Sequence, residues 1–161
     1  EPCVGDGAIV RAVGDRARTL SPIAWATYDI RPDSCAQNIQ DFLSVKPRVL
    51  GEPGELEVVV SPWASVCLPN PPYSLALEFV QHAMKHAHVV AMLLRLNFLG
   101  SDGRAEFFRA HPPSVYVLPN RPSFVNGRTD ACEYAWFVWG LHPTPEIRVL
   151  ATTPKSERCG R

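Results

Sequence analysis

The sequence predicts an α/β fold built on a mostly parallel sheet, and three observations carry the prediction. Val89 to Leu96 is a continuous apolar run, as a parallel strand covered on both faces requires. Ser74 to Ala87 carries a helical stripe of apolar residues at Leu75, Leu77, Phe79, Val80, Ala83 and Met84. Strand-like and helix-like stretches alternate along most of the chain.

Taken in order, Ala8 to Val13 reads as a helix opened by Gly5-Asp6-Gly7, and Ile23 to Tyr28 as a strand. Cys35 to Ile39 reads as a short helix, and Asp41-Phe42 as the end of the next strand. Pro47 to Glu57 is rich in Gly, Pro and Glu and reads as loop. Leu56 to Val60 and Ala64 to Leu68 are extended, broken by Pro62; whether both are strands stays open. Ser74 is the expected N-cap of the helix that follows, with Glu78 one turn on. Asp102 to Ala110 reads as a short helix, Val115 to Leu118 and Glu133 to Trp139 as strands. From His142 the chain is Pro-rich and then charged, and is expected to fray. Residues 1–140 are read as one domain and 141–161 as a C-terminal tail.

Composition narrows the function. A chain of 161 residues with 46% apolar content can bury a real core. No run is long enough to span a bilayer, and no basic-then-apolar signal opens the chain. The five cysteines are widely spaced with no CxxC pair, which reads as reduced thiols of a cytoplasmic protein and not as a zinc site. His82, His86 and His88 cluster; they read as surface positions near a helix end rather than as metal ligands. Net charge is zero, which argues against a free-standing tight DNA binder. The stretch from Arg95 to Arg128 is locally basic, with five arginines against Asp102 and Glu106.

The chemistry-bearing motif is Asn70-Pro71-Pro72-Tyr73, between a strand and a helix. Neither proline can donate a hydrogen bond, so their carbonyls and the Asn70 amide are left as acceptors. Tyr73 adds a flat face for stacking. Such a loop suits a planar group bearing an exocyclic amine; taken alone, it also reads as an ordinary strand-to-helix turn. Upstream, Glu1-Pro2-Cys3-Val4-Gly5-Asp6-Gly7 offers a glycine loop where backbone can approach a ligand. Asp29 closes an apolar run, where an acid can accept ribose hydroxyls. Asp41-Phe42 sets an acceptor beside an aromatic face, suited to an adenine.

Glycine loop, ribose acid, Asp-Phe pair and Asn-Pro-Pro-Tyr, in that order, resemble the S-adenosylmethionine-dependent amino-methyltransferases. The nearest likeness is to DNA adenine-N6 methyltransferases, especially small phage and prophage forms. Leu93 to Ser101, Pro119 to Phe124 and Thr129 to Trp139 continue the likeness, which covers residues 1 to about 140. The resemblance implies a Rossmann-like sheet with an antiparallel last strand. It implies S-adenosylmethionine held by Glu1, Pro2, Gly5, Gly7, Asp29, Asp41, Phe42 and Asn70. It implies catalysis by Asn70, Pro71 and Tyr73, and a substrate side of Pro72, Tyr73, Arg95, Arg121 and Phe124. No metal is expected. The expected partner is DNA in a bacterial or phage-infected cell, with a separate recognition subunit or domain, because the chain has no room for one. In the resembled fold the glycine loop leaves the central strand; nothing here precedes Glu1, so that strand is expected to be missing.

The expected reaction is direct methyl transfer to N6 of a flipped-out adenine. Rival readings keep the same machinery on guanine N2 of ribosomal RNA, cytosine N4 of DNA or a protein glutamine. A further rival is an inactive, truncated domain that binds a partner or nothing.

Overall fold

The computed structural model describes residues 1–17, 23–50, 59–60, 62–122, 131–142, 144–152 and 154. Phe124, most of the Pro47–Glu57 loop, Arg128 to Asp130 and Cys159 lie outside the described residues, and so do the expectations attached to them. The chain divides into two units, Glu1–Val90 and Ala91–Arg161.

In the first unit the glycine loop leads into α1, Ala8–Arg16. Gly7 stands at its start in the left-handed region, with φ 81°, and its carbonyl takes the Arg11 N–H at 2.9 Å. The expected strand from Ile23 shrinks to β1, Tyr28–Asp29, which pairs in parallel with β2, Asn38–Ile39. The helix expected at Cys35 to Ile39 does not form, because its backbone donors find partners elsewhere. Cys35 N–H goes to the Gly5 carbonyl, Gln37 N–H to Thr27 Oγ1 and Asn38 N–H to the Thr27 carbonyl, all within 3.0 Å. Each bond to the neighbouring segment replaces a bond within a helix.

Two residues expected as loop, Val49–Leu50, form β3 and pair antiparallel with β4, Val59–Val60. β5, Ala64–Cys67, then pairs in parallel with β6, Ala87–Arg95. Between them lies α2, Ala76–Ala83, whose buried face is Ala76, Phe79, Val80 and Ala83. Ser74 is not its N-cap. It sits inside a 3-10 turn, Tyr73–Leu75, that the Pro72 carbonyl opens by accepting the Leu75 N–H at 2.9 Å.

The second unit holds the later part of β6, α3 at Asp102–Ala110, β7 at Ser114–Val117, β8 at Tyr134–Trp139 and β9 at Ile147–Val149. Its core is aromatic: Phe98 meets Phe108 and Phe137 edge-on at 5.4 and 5.8 Å between centroids. The Arg104 guanidinium lies over the Phe98 ring and donates to the Phe98 carbonyl. Trp139 buries its ring and donates Nε1–H to the His111 carbonyl at 2.9 Å.

The strands form a mixed, mostly parallel five-stranded sheet in the order β5-β6-β8-β7-β9. β8 runs antiparallel to β7, and β9 parallel to it. The expected fraying tail thus contributes an edge strand. Val115 N–H donates to the Glu146 carbonyl at 2.7 Å, and Leu150 N–H to the Val117 carbonyl at 2.9 Å. The architecture is α/β and compatible with a Rossmann-like arrangement. Among the described residues no helix is long and apolar enough to cross a membrane.

Candidate functional site

The residues that the motifs single out between Glu1 and Tyr73 all fall in the first unit. The glycine loop is a closed knot. Cys3, Gly5 and Gly7 all take positive φ, at 61°, 57° and 81°. Glu1 and Val4 bracket Tyr28: Tyr28 N–H donates to the Glu1 carbonyl and Val4 N–H to the Tyr28 carbonyl, each at 3.0 Å.

Asp29 fastens this loop. One carboxylate oxygen accepts the Gly5 N–H at 2.9 Å; the other accepts the Arg31 N–H at 2.9 Å and its Nε at 3.4 Å. Burial pushes the Asp29 pKa up, but the Arg31 and Gly5 N–H groups and the guanidinium outweigh it and hold the group below its ordinary value. The expected ribose acid is thus already the staple of the glycine loop. A carboxylate has about four acceptor positions, so a further hydroxyl can still bond.

Glu1 is the other acid here. It is buried, and its Oε2 has no hydrogen-bond partner among the described residues. Burial pushes its pKa up to about 7. An orphaned buried acceptor beside a glycine loop fits a ligand bearing hydroxyl or ammonium donors, as S-adenosylmethionine does.

Phe42 departs from its expected role. Asp41 does not end a strand; its side chain caps a 3-10 turn, Phe42–Ser44, by accepting the Leu43 N–H at 2.9 Å. The Phe42 ring is only 4% exposed. It packs against Tyr28, Phe79, His82 and His86, with centroids 5.0 to 5.9 Å away. It is a core residue whose neighbour Asp41 stays exposed.

Of the three clustered histidines, His88 is exposed as expected, His82 is half-buried and His86 is not a surface position. His86 is buried, its Nδ1 accepts from Trp63 Nε1–H at 3.0 Å, and its Nε2 lies 3.0 Å from His82 Nε2. An indole N–H only donates, so Nδ1 of His86 carries no proton and Nε2 of the neutral ring does. That proton points at His82, which must accept it. The chain of donors therefore fixes both tautomers. Burial pushes both histidines below their ordinary pKa. Among the described residues no group of three metal-ligating side chains occurs.

The Asn70–Tyr73 loop follows β5. Asn70 is half-buried, Pro71 buried, Pro72 exposed and Tyr73 half-buried. Among the described residues the Asn70 side chain makes no hydrogen bond to the protein. The Pro72 carbonyl is consumed by Leu75, which leaves Pro71 as the proline whose carbonyl stands as an acceptor.

Arg95 and Arg121 lie in the second unit. Arg95 Nε donates to the Tyr134 hydroxyl at 3.3 Å. Arg121 forms an exposed pair with Glu133 at 2.7 Å. Both arginines expected on the substrate side thus already have protein partners. Comparison of the chain with protein-family models, with curated proteins and with solved structures gave no match. The site therefore stands on its own residues.

Sequence reasoning missed Arg31, Cys35 and the Trp63–His86–His82 chain. Arg31 was findable, two residues past an acid at a strand end, where backbone and side chain can bond back to it. The Trp63–His86 contact spans 23 positions and leaves no local signal. Burial pushes the Cys3 and Cys67 thiols up to about 12, so neither offers a thiolate nucleophile at neutral pH.

Proposed function

We propose that the chain binds S-adenosylmethionine through its first unit and methylates an exocyclic amine, with N6 of adenine in DNA as the target. The observation that carries this reading is the Asn70 amide. It is half-buried, unbonded among the described residues, and held between a strand and a turn opened by two prolines. Among the described residues its Oδ1 and the Pro71 carbonyl are acceptors with no internal donor, in the same unit as the loop held by Asp29.

Bound S-adenosylmethionine supplies a methyl group activated by a sulfonium. Every other part of the chemistry falls to the chain. Glu1 accepts a donor of the cofactor, and the Gly5–Gly7 backbone gives close approach. Asn70 Oδ1 and the Pro71 carbonyl accept the two amine hydrogens of the base. That turns the nitrogen lone pair toward the methyl and holds it there. Tyr73 offers a ring face to the extruded base, since N6 cannot reach a methyl donor from within a stacked duplex. The amine loses its proton to solvent after transfer, so no strong base is required.

The test is nucleoside mass spectrometry after incubating the chain with genomic DNA and isotope-labelled S-adenosylmethionine. N6-methyladenine is the expected product. N4-methylcytosine would move the target to cytosine, and label confined to RNA or protein would overturn the DNA reading. Absence of cofactor binding by calorimetry would overturn the enzyme reading altogether.

A further inference from the structure

In the second unit the sheet stops at an open edge. β9 lies outermost, and the stretch Pro145-Glu146-Ile147-Arg148-Val149 alternates apolar and charged residues along it. Against β7, Ile147 stands opposite Val115, Arg148 opposite Tyr116 and Val149 opposite Val117. Ile147 and Val149 therefore share a face with Val115, which is buried in the core, yet they are 75% and 70% exposed themselves. Apolar side chains along a sheet edge are a liability that folded proteins blunt or cover.

The ladder with β7 decides which backbone groups stay open. Val115 N–H donates to the Glu146 carbonyl, and Leu150 N–H to the Val117 carbonyl. A parallel ladder uses alternate residues of a strand, so Glu146, Arg148 and Leu150 turn their backbone groups to β7. Ile147 and Val149 turn theirs outward, and the Pro145 carbonyl points the same way. Among the described residues these outward groups have no hydrogen-bond partner. Such an edge can pair with a copy of itself, antiparallel, and charge selects the register. A two-fold axis at Glu146 or at Arg148 sets like charges opposite each other, which repels. One at Val149 sets Arg148 opposite Leu150. One at Ile147 sets Glu146 of each strand opposite Arg148 of the other, and this register alone is complementary in charge. It also sets Val149 opposite Pro145, whose missing N–H leaves no donor stranded at the rim. Glu146 keeps its present bonds, to the Tyr116 hydroxyl at 2.7 Å and to Arg148 at 2.8 Å. A carboxylate has about four acceptor positions, so a second guanidinium can join them.

We propose that β9 pairs with β9 of a second copy of this chain, antiparallel and centred on Ile147, so that the two sheets join edge to edge. The two Ile147 residues exchange N–H to carbonyl bonds. Each Val149 N–H donates to the Pro145 carbonyl of the other copy. On one face the two isoleucines meet and each Val149 packs against Pro145. On the other face each Glu146 lies between its own Arg148 and that of the other copy. An edge of three residues makes a small interface, so the dimer is weak and forms at high protein concentration. The inference does not depend on the methyltransferase reading.

The test is sedimentation of the full chain over a concentration series reaching the millimolar range, alongside the variants Glu146→Arg and Arg148→Glu. The chain itself should pass from monomer to dimer. Each variant alone sets like charges across the two-fold axis and should weaken self-association on the order of 10-fold or more. An equimolar mixture of the two variants should recover it. In the mixture every Arg faces a Glu of the other chain, while the charges within each chain stay alike, so a pair within one chain cannot produce the recovery. Ile147→Pro removes an outward donor that β7 does not use; it should keep β9 on β7 and stop dimerisation. Circular dichroism checks that each variant is folded. A chain that stays monomeric throughout would overturn the proposal. Dimers that survive Ile147→Pro would place the contact elsewhere and overturn it too. Single charge variants that associate like the parent chain, or a mixture that fails to recover, would do the same.

Discussion

At Gly7 a single hydrogen separates a working loop from a broken one. Its φ is 81°, and a Cβ placed there would come within 2.9 Å of Cys35 Sγ. Gly7→Ala should therefore cost about 1–2 kcal/mol for the left-handed backbone alone, before the sulfur contact is counted. The double variant Gly7→Ala/Cys35→Ala should recover the contact part and leave the backbone part. Urea unfolding of both checks this; no recovery would mean that the sulfur already gives way. Asn70 makes the opposite kind of prediction. Its side chain makes no hydrogen bond among the described residues, so Asn70→Ala should leave stability nearly unchanged. Methyl transfer should fall on the order of 100-fold or more, with S-adenosylmethionine affinity kept within a few-fold. A parallel loss of stability would make Asn70 structural.

The element that supports Asp41 is the turn packed on α2, and its pedestal is Phe42 with the histidine pair. Phe42→Ala should cost about 3–5 kcal/mol, as for a buried ring in a packed core. The histidines make the stability of this element depend on pH. Burial holds both below 6.5, helped at His82 by Lys85 and at His86 by the neighbouring His82 and Lys85, while the Val45 carbonyl pulls both the other way and the Phe42 carbonyl and Asp41 pull His82. The unfolded chain therefore binds protons near pH 6.5 that the folded chain refuses. Stability from this pair is complete above 6.5 and is lost as pH falls below it. Glu1 has the opposite sign: its pKa rises from 4.5 to about 7, so its contribution declines as pH climbs through that window. Asp29 is held below 3.8 and acts only in stronger acid. In a Glu1→Gln background, urea unfolding should thus show stability from this pair falling as pH drops from 6.5 to 5.5. Trp63→Phe should remove about 1–3 kcal/mol by leaving the buried His86 Nδ1 without a donor. A flat profile in that background would show that the two rings are not held neutral.

On the scale of the whole chain, zero net charge and two engaged arginines predict weak attachment to DNA. The logarithm of the binding constant should fall against log salt with a slope of about −1 to −3, corresponding to few phosphates neutralised. Glu133→Gln should release Arg121, strengthen binding and steepen the slope by about one. An exposed ion pair is worth about 0–1 kcal/mol, so the exchange of partners costs little. Fluorescence anisotropy across a salt series measures both. A slope near zero in both proteins would remove nucleic acid as the partner.

The continuous apolar run of β6 and the helical stripe of α2 were enough to read the α/β class from the residues alone, because both elements bury what those patterns display; α3, β7 and β8 fall within a residue of where they were read. That Gly5 and Gly7 would form a tight loop was legible for a related reason: glycines admit the positive φ that both adopt. Short segments carried no such record. Asn38–Ile39 became a strand because Thr27 and Gly5 took the donors that a helix there would have used. Ile147–Val149 is exposed along its whole length, so no alternation marks it, and only the β7 edge made it a strand. Phe42 reads in the sequence as an aromatic face for an adenine; His82, His86, Phe79 and Tyr28, gathered from distant positions, decided for the core. What the residues determine locally is which conformations are cheap. Which polar groups remain open, Asn70 among them, depends on partners brought from elsewhere in the chain, and only the tertiary structure supplies those.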